Sequence, residues 1–169
     1  MSRLDRIWNG WRAAYVNEAG DAGTPTDGSV FTRILGSGMT DAETHIVHRG
    51  DRVFAILNAF PYTSGHLLVL PYREVADLED LEDEERIELW STVTDAVAAV
   101  KAAYRPGGVN VGINLGKAAG GSVSQHLHVH VLPRWSGDGN FMTAVAETRT
   151  LPEPLSLSAE KIRTAWRQA

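Results

Sequence analysis

The stretch 125-QHLHVHVLPRW-135 places half of the chain's six histidines at alternate positions, with aliphatic residues between them. Side chains along a β-strand alternate between two faces, with a rise of about 3.3 Å per residue. A strand over 126–132 therefore puts His126, His128 and His130 on one face, about 6.6 Å apart in sequence. Leu127, Val129 and Val131 face the other way, into a core. Three neutral imidazoles in a row suit neither solvent nor a core, so packing alone is a weak account of them.

Working outward, the other elements set this strand in a sheet. The apolar run 66-HLLVLPY-72 reads as a buried strand, and 109-VNVGINL-115 as another. Short β-type runs at 43–48 and 52–58 flank Arg49-Gly50-Asp51 and suggest a hairpin. From Asp83 to Tyr104 the residues Ile87, Trp90, Val93, Val97, Val100 and Tyr104 follow helical spacing. Acids in the first turn and Lys101 and Arg105 at the end suit the helix dipole. Shorter helices are expected at 3–18, with Leu4, Ile7, Trp8, Trp11 and Tyr15 on one face, at 29–36, and over the tail 156–168. Residues 19–28, AGDAGTPTDG, read as a loop. Short strands with one long helix between them indicate an α+β fold with a mostly antiparallel sheet.

Composition narrows the class. A chain of 169 residues with 43% apolar content is long enough for one domain with a real core. The absence of cysteine excludes disulfides and thiolate metal sites and fits a cytoplasmic protein. No apolar run is long enough to cross a membrane, and MSRLDRIWNGWRAAYV lacks the apolar centre of a signal peptide. The net charge of −5 comes entirely from one segment, Asp77 to Glu88, where eight acids face a single base, Arg86, and the rest of the chain is slightly positive. That cluster reads as a solvated helix start, and the remainder does not repel an anionic small molecule. No Lys/Arg cluster offers a nucleic-acid surface.

Two chemistries suit the histidine row. Imidazole is a common zinc ligand, yet residues 109–135 supply no carboxylate to complete a catalytic site. Alternatively one ring is a nucleophile: a neutral imidazole attacks phosphorus near pH 7 without prior deprotonation. Its other nitrogen then needs an acceptor, such as a main-chain carbonyl, to fix the tautomer. The preceding loop, 114-NLGKAAGGSVSQ-125, favours the second reading. Gly116, Gly120 and Gly121 allow close backbone approach, and their N–H groups with the Ser122 hydroxyl could form an anion cradle with Lys117 at its rim.

At this point the residues resemble a known family. His126-Leu-His128-Val-His130-Val-Leu is similar to the histidine-triad (HIT) pattern, and 54-FAILNAFPYTSGHLLVLPYREV-75 resembles that family's first block. The run 30-VFTRILGSG-38 resembles its opening helix, so the likeness spans roughly 29–135. It implies a single HIT-like domain over 1–169, with a five-stranded, mostly antiparallel sheet, one long helix and terminal helices. It also implies that His128 is the nucleophile, with His126, His130 and His66 completing the catalytic set. Asn58 becomes the ribose-binding position. Asn114, Gly116, Gly121, Ser122 and Gln125 become substrate-binding residues, those at 114 and 122 on the phosphates.

There are departures from the pattern. The Cys-x-x-Cys that many relatives carry for structural zinc is replaced here by Val30-Phe31-Thr32-Arg33, so His45 and His48 are expected as ordinary surface residues. The cradle reads Gly121-Ser122-Val123-Ser124-Gln125-His126, without the usual Gln before Ser. These features, with Trp8, Trp11, Arg12 and Tyr15, resemble the bacterial dinucleoside tetraphosphate phosphorylase branch. The run 133-PRWSGDGNF-141 is similar to that branch and to the fragile-histidine-triad hydrolases. The resemblance implies phosphorolysis of diadenosine tetraphosphate to ATP and ADP through an adenylyl-histidine, with inorganic phosphate as second substrate. A hydrolase releasing AMP is the alternative; a zinc enzyme and a nucleotide-binding module stand behind it. No cofactor is required, magnesium would arrive with the substrate, and a homodimer or larger assembly is expected.

Overall fold

In the computed structural model, which describes residues 28–139 and 153–166, the apolar runs of the sequence form the centre of one sheet. Strands β1 (Ile46–Arg49), β2 (Val53–Leu57), β3 (Leu67–Pro71), β4 (Gly108–Ile113) and β5 (Val129–Arg134) pair antiparallel in the order β1-β2-β3-β5-β4. Every residue of β2 and β3 is buried, which is why VFAIL and LLVLP show no alternation. Such strands belong to a sheet covered on both faces.

Helices α1 (Val30–Gly36), α2 (Asp41–Thr44), α3 (Asp83–Tyr104) and α4 (Leu155–Trp166) complete the described chain. On one face of the sheet, α3 and α4 bury Leu89, Val93, Ala96 and Ile162 against Val69, Val129 and Val131. On the other, Phe31 of α1 joins Ile46, Phe54, Ile56, Leu68 and Leu70. The histidine segment lies at this second face. The sequence assignments to 3–18 and to residues 140–141 lie outside the described residues.

Several expectations are corrected. β5 begins at Val129, so His126, Leu127 and His128 precede the ladder rather than belonging to it. The alternation nevertheless persists through them: Leu127, Val129 and Val131 enter the α3 side of the core, while Phe31 meets the rings of His126 and His128. The segment 43–48 opens as helix. Thr40 and Glu43 form a capping box, and His45 closes the turn in the left-handed region at φ 61° before β1 starts at Ile46.

Helix α3 has the expected ends but a rotated inner face. Ile87 and Trp90 are 73% and 45% exposed, whereas Leu89, Thr92, Ala96 and Ala99 are buried beside Val93 and Val100. Small alanines on that face bring the helix close to the sheet, a criterion that side-chain bulk does not reveal. The acidic helix start is also more than a solvated surface. Glu85 is buried, pairs with Arg73 and caps Glu82, while Glu88 accepts the Arg52 N–H at the β1–β2 turn. His45 and His48 are half-buried rather than ordinary surface residues, and the His48 ring stacks on Trp166 at 4.6 Å. None of the described helices is long and apolar enough to cross a membrane.

Candidate active site

His128 is held at one end of its ring. Its Nδ1–H donates to the His126 carbonyl oxygen at 2.7 Å, which leaves the lone pair on Nε2. That nitrogen makes no hydrogen bond among the described residues, and it is not one of the fully enclosed unsatisfied atoms, so it remains open to a reactant. Burial lowers the pKa of His128 from the ordinary 6.5, opposed by the bond to the His126 carbonyl and assisted by the nearby His126 ring. Phe31 supplies part of that cover, with ring centroids 5.6 Å apart. The bond and the burial together favour the neutral ring, with its lone pair on Nε2.

His126 faces inward and has no free nitrogen. Its Nε2 lies 2.9 Å from the Pro71 carbonyl oxygen, an acceptor, so that nitrogen carries the proton. Nδ1 then accepts from Ser29 Oγ at 2.7 Å. The ring is fully buried, and burial lowers its pKa against the opposing influence of the Pro71 bond and of Glu74. Its main-chain neighbour is fixed as well, because the Leu127 N–H donates to the Val75 carbonyl at 2.6 Å.

A second chain of bonds reaches His130. Tyr62 N–H donates to His66 Nδ1 at 3.2 Å, with the Asn58 amide nitrogen 3.3 Å from the same atom. His66 must therefore carry its proton on Nε2, which points at His130 Nδ1 across 2.9 Å. A neutral His130 then bears its proton on Nε2, toward the site. The Asn114 amide nitrogen lies 3.3 Å from that atom, and a half-turn of the amide would present its oxygen. The His128 and His130 ring centroids are 5.0 Å apart. β3, β4 and β5 thus each contribute, since Leu68 and Gly112 both pair with His130.

The structure brings His66, His126, His128, His130, Asn58 and Asn114 together. Asn58 also accepts the Phe60 N–H, so its amide shapes the turn as well as holding His66. The glycine loop is arranged differently from the expected cradle. Its N–H groups at Gly120 and Gly121 donate to the loop's own carbonyls, at Lys117 and Gly116. Gly121 is needed for a tight approach, because a Cβ there would meet the Asn114 and Gly116 carbonyl oxygens at 3.1 Å. Ser122 is exposed and Gln125 half-buried, and among the described residues neither bonds to a histidine ring.

Sequence reasoning missed Ser29, Thr32, Glu74 and Tyr62. Ser29 was legible as a helix N-cap, and its Oγ does accept from the Thr32 N–H. Nothing in its local pattern signals a bond to a ring 97 positions away. The three triad rings direct their nitrogens at different partners, and among the described residues no group of three metal-ligating side chains converges.

A sheet of this order carrying a histidine triad at the start of its β5 strand, between β3 and β4, defines a class, and comparison with known proteins agrees. The HIT domain family matches residues 39–137, and the chain belongs to that family. It is 42% identical over 168 residues to the AP-4-A phosphorylase of Mycobacterium tuberculosis, covering 97% of this chain and 85% of that protein. Among solved structures it is similar to a zinc-bound histidine triad family protein from Mycobacterium smegmatis. That likeness has a TM-score of 0.68 and 28% identity, covering 86% of this chain and 96% of that one. A HIT-like protein involved in cell-cycle regulation from Bartonella henselae gives a TM-score of 0.66 at 27% identity, covering 81% and 95%.

Proposed function

We propose that this protein is a nucleotidyl transferase that cleaves diadenosine tetraphosphate by phosphorolysis, with His128 as nucleophile. One observation carries the reading: His128 Nδ1–H is tied to a main-chain carbonyl at 2.7 Å, leaving Nε2 as a neutral lone pair. The lone pair of Nε2 attacks the α-phosphorus in line, forming a P–N bond. The bond to the bridging oxygen breaks and its electron pair leaves with ATP. The ring becomes cationic in this step, and the His126 carbonyl stabilises the charge through the Nδ1 proton.

Inorganic phosphate then attacks the same phosphorus, the P–N bond breaks, and ADP is released while His128 returns to neutral. His130 offers Nε2–H to an equatorial or leaving-group oxygen, and the His66 contact holds its tautomer. Asn114 and Ser122 take the phosphates, with Gly116, Gly121 and Gln125 shaping the pocket, and Asn58 the ribose. No cofactor enters these steps; magnesium would accompany the substrate's phosphates. The likeness to the M. tuberculosis phosphorylase over 97% of this chain supports phosphate rather than water as acceptor.

The same proposal includes a homodimer, formed along β4, which pairs only with β5 among the described strands. The test of the chemistry is product analysis. Diadenosine tetraphosphate is supplied with and without phosphate, and ATP plus ADP is expected only with it. Equal AMP production without phosphate would overturn phosphorolysis. In parallel, radiolabelled nucleotide should be trapped on the wild type and on His126→Ala but not on His128→Gly; trapping on His128→Gly would reassign the nucleophile.

A further inference from the structure

We propose that Glu74, acting through Ser29 and Thr32, is a positioning residue that locks the His126 ring and so fixes the carbonyl that holds His128. This rests on the reading of His128 as nucleophile but concerns residues outside the triad. Glu74 Oε2 accepts the Ser29 N–H at 2.7 Å and the Thr32 hydroxyl at 2.6 Å. Ser29 Oγ accepts the Thr32 N–H at 3.1 Å and meets His126 Nδ1 at 2.7 Å.

The proton count gives this chain a direction. The carboxylate can only accept, so the Thr32 hydroxyl proton is committed to Glu74. The Pro71 carbonyl can only accept, so the His126 proton sits on Nε2 and Nδ1 is a lone pair. The Ser29 hydroxyl already receives the Thr32 N–H; its oxygen also lies 3.1 Å from Thr32 Oγ1, but its single proton goes to the shorter contact, the Nδ1 lone pair at 2.7 Å. Each donor and acceptor has one assignment that satisfies all the others. A buried network complete in this way specifies a single ring orientation.

An ordinary N-cap does not explain the arrangement. Ser29 and the His126 ring are fully buried, and Glu74 reaches across 45 positions to bind the capping residue. The chain bends for it. Gly28 adopts φ +80°, and a Cβ there would stand 2.9 Å from Glu74 Oε2. The 71–75 segment thus grips the 126–127 segment three times. Pro71 binds the ring, Glu74 binds it through Ser29, and Val75 binds the Leu127 N–H. The carbonyl between these grips is the one that accepts from His128.

Because both donors converge on one oxygen, a carboxamide can replace the carboxylate, whereas alanine cannot. The experiment pairs nitrogen-15 NMR of histidine-labelled free enzyme with steady-state kinetics for wild type, Glu74→Gln, Glu74→Ala and Thr32→Val. Wild type and Glu74→Gln should show His126 as a single Nε2–H tautomer. Glu74→Ala and Thr32→Val should show mixed tautomers, with kcat lowered about 10- to 100-fold at nearly unchanged KM, as expected for a misplaced reacting group. A single tautomer and wild-type kcat in both Glu74→Ala and Thr32→Val would overturn the proposal. Thr32→Val keeps the shape of the residue, so the result does not hinge on the folding of one variant. Tautomer scrambling in Glu74→Ala would uphold the lock even if the wild type trapped no nucleotide, an outcome that sinks nucleotidyl transfer alone.

Discussion

At the scale of single residues, the site works by assigning each proton to one nitrogen. His128 keeps a lone pair on Nε2 because its other nitrogen is bonded to its own main chain, and burial holds the ring below the ordinary histidine pKa of 6.5. The sign of the pH dependence follows. In the proposed reaction the attacking form is neutral, a lowered pKa extends that form to more acidic solution, and activity is lost only as pH falls through the lowered value. The acid limb of kcat/KM should therefore have its midpoint below 6.5. Phe31 covers the ring, so Phe31→Leu, which admits water, should move the limb back toward 6.5. A wild-type limb above 6.5 would mean that His128 does not react as the buried neutral ring described here.

At the scale of elements, the turn that delivers His66 depends on one glycine. Gly65 has φ +78°, and a Cβ there would lie 2.5 Å from Tyr104 Cε2 at the end of α3. Both the backbone conformation and the contact oppose a side chain. Gly65→Ala should destabilise the fold by about 1–3 kcal/mol, read from urea unfolding. It should also weaken the His66–His130 contact, lowering kcat. An alanine variant as stable and active as wild type would show that Tyr104 yields without consequence.

This scale also shows what the sequence could tell. The bounds of α3 were legible because the acids of the first turn, the apolar period and the basic Lys101 and Arg105 at the end agree. Its inner face was not, because the alanines that define it carry no hydrophobic signal beside Ile87 and Trp90. The Thr40–Glu43 capping box was present in the sequence but outweighed by the β-type residues that follow. In the site, the histidine spacing showed that the rings gather on the side opposite Leu127, Val129 and Val131, even though the ladder starts only at Val129. Glu74 and Ser29 were hidden, since nothing in a linear pattern links a strand-end acid to a helix cap.

At the scale of the whole molecule, β4 is the outermost strand on one side of the described sheet. It pairs only with β5 among the described strands, and most of its residues are exposed, Val111 at 44%. Edge strands that stay monomeric are usually blunted by lysine, proline or a bulge, but GVNVGI carries no charge or proline, and its register with β5 is regular. Beside it runs a groove lined by Val97, Lys101, Pro106, Val109 and Val111, where the end of α3 meets the strand. The proposed homodimer would pair this edge with that of a second copy. Two β4 strands paired antiparallel would join the sheets and cover both grooves about a two-fold axis. Light scattering coupled to gel filtration should thus give twice the chain mass of 18.4 kDa. Val111→Lys, which puts a charge on the shared edge, should shift the protein toward the single-chain mass while leaving the His126–Ser29 and His128 main-chain bonds on the far side of β5 in place. A wild type that elutes as one chain at micromolar concentration, or a lysine variant that remains fully paired, would rule out assembly through β4.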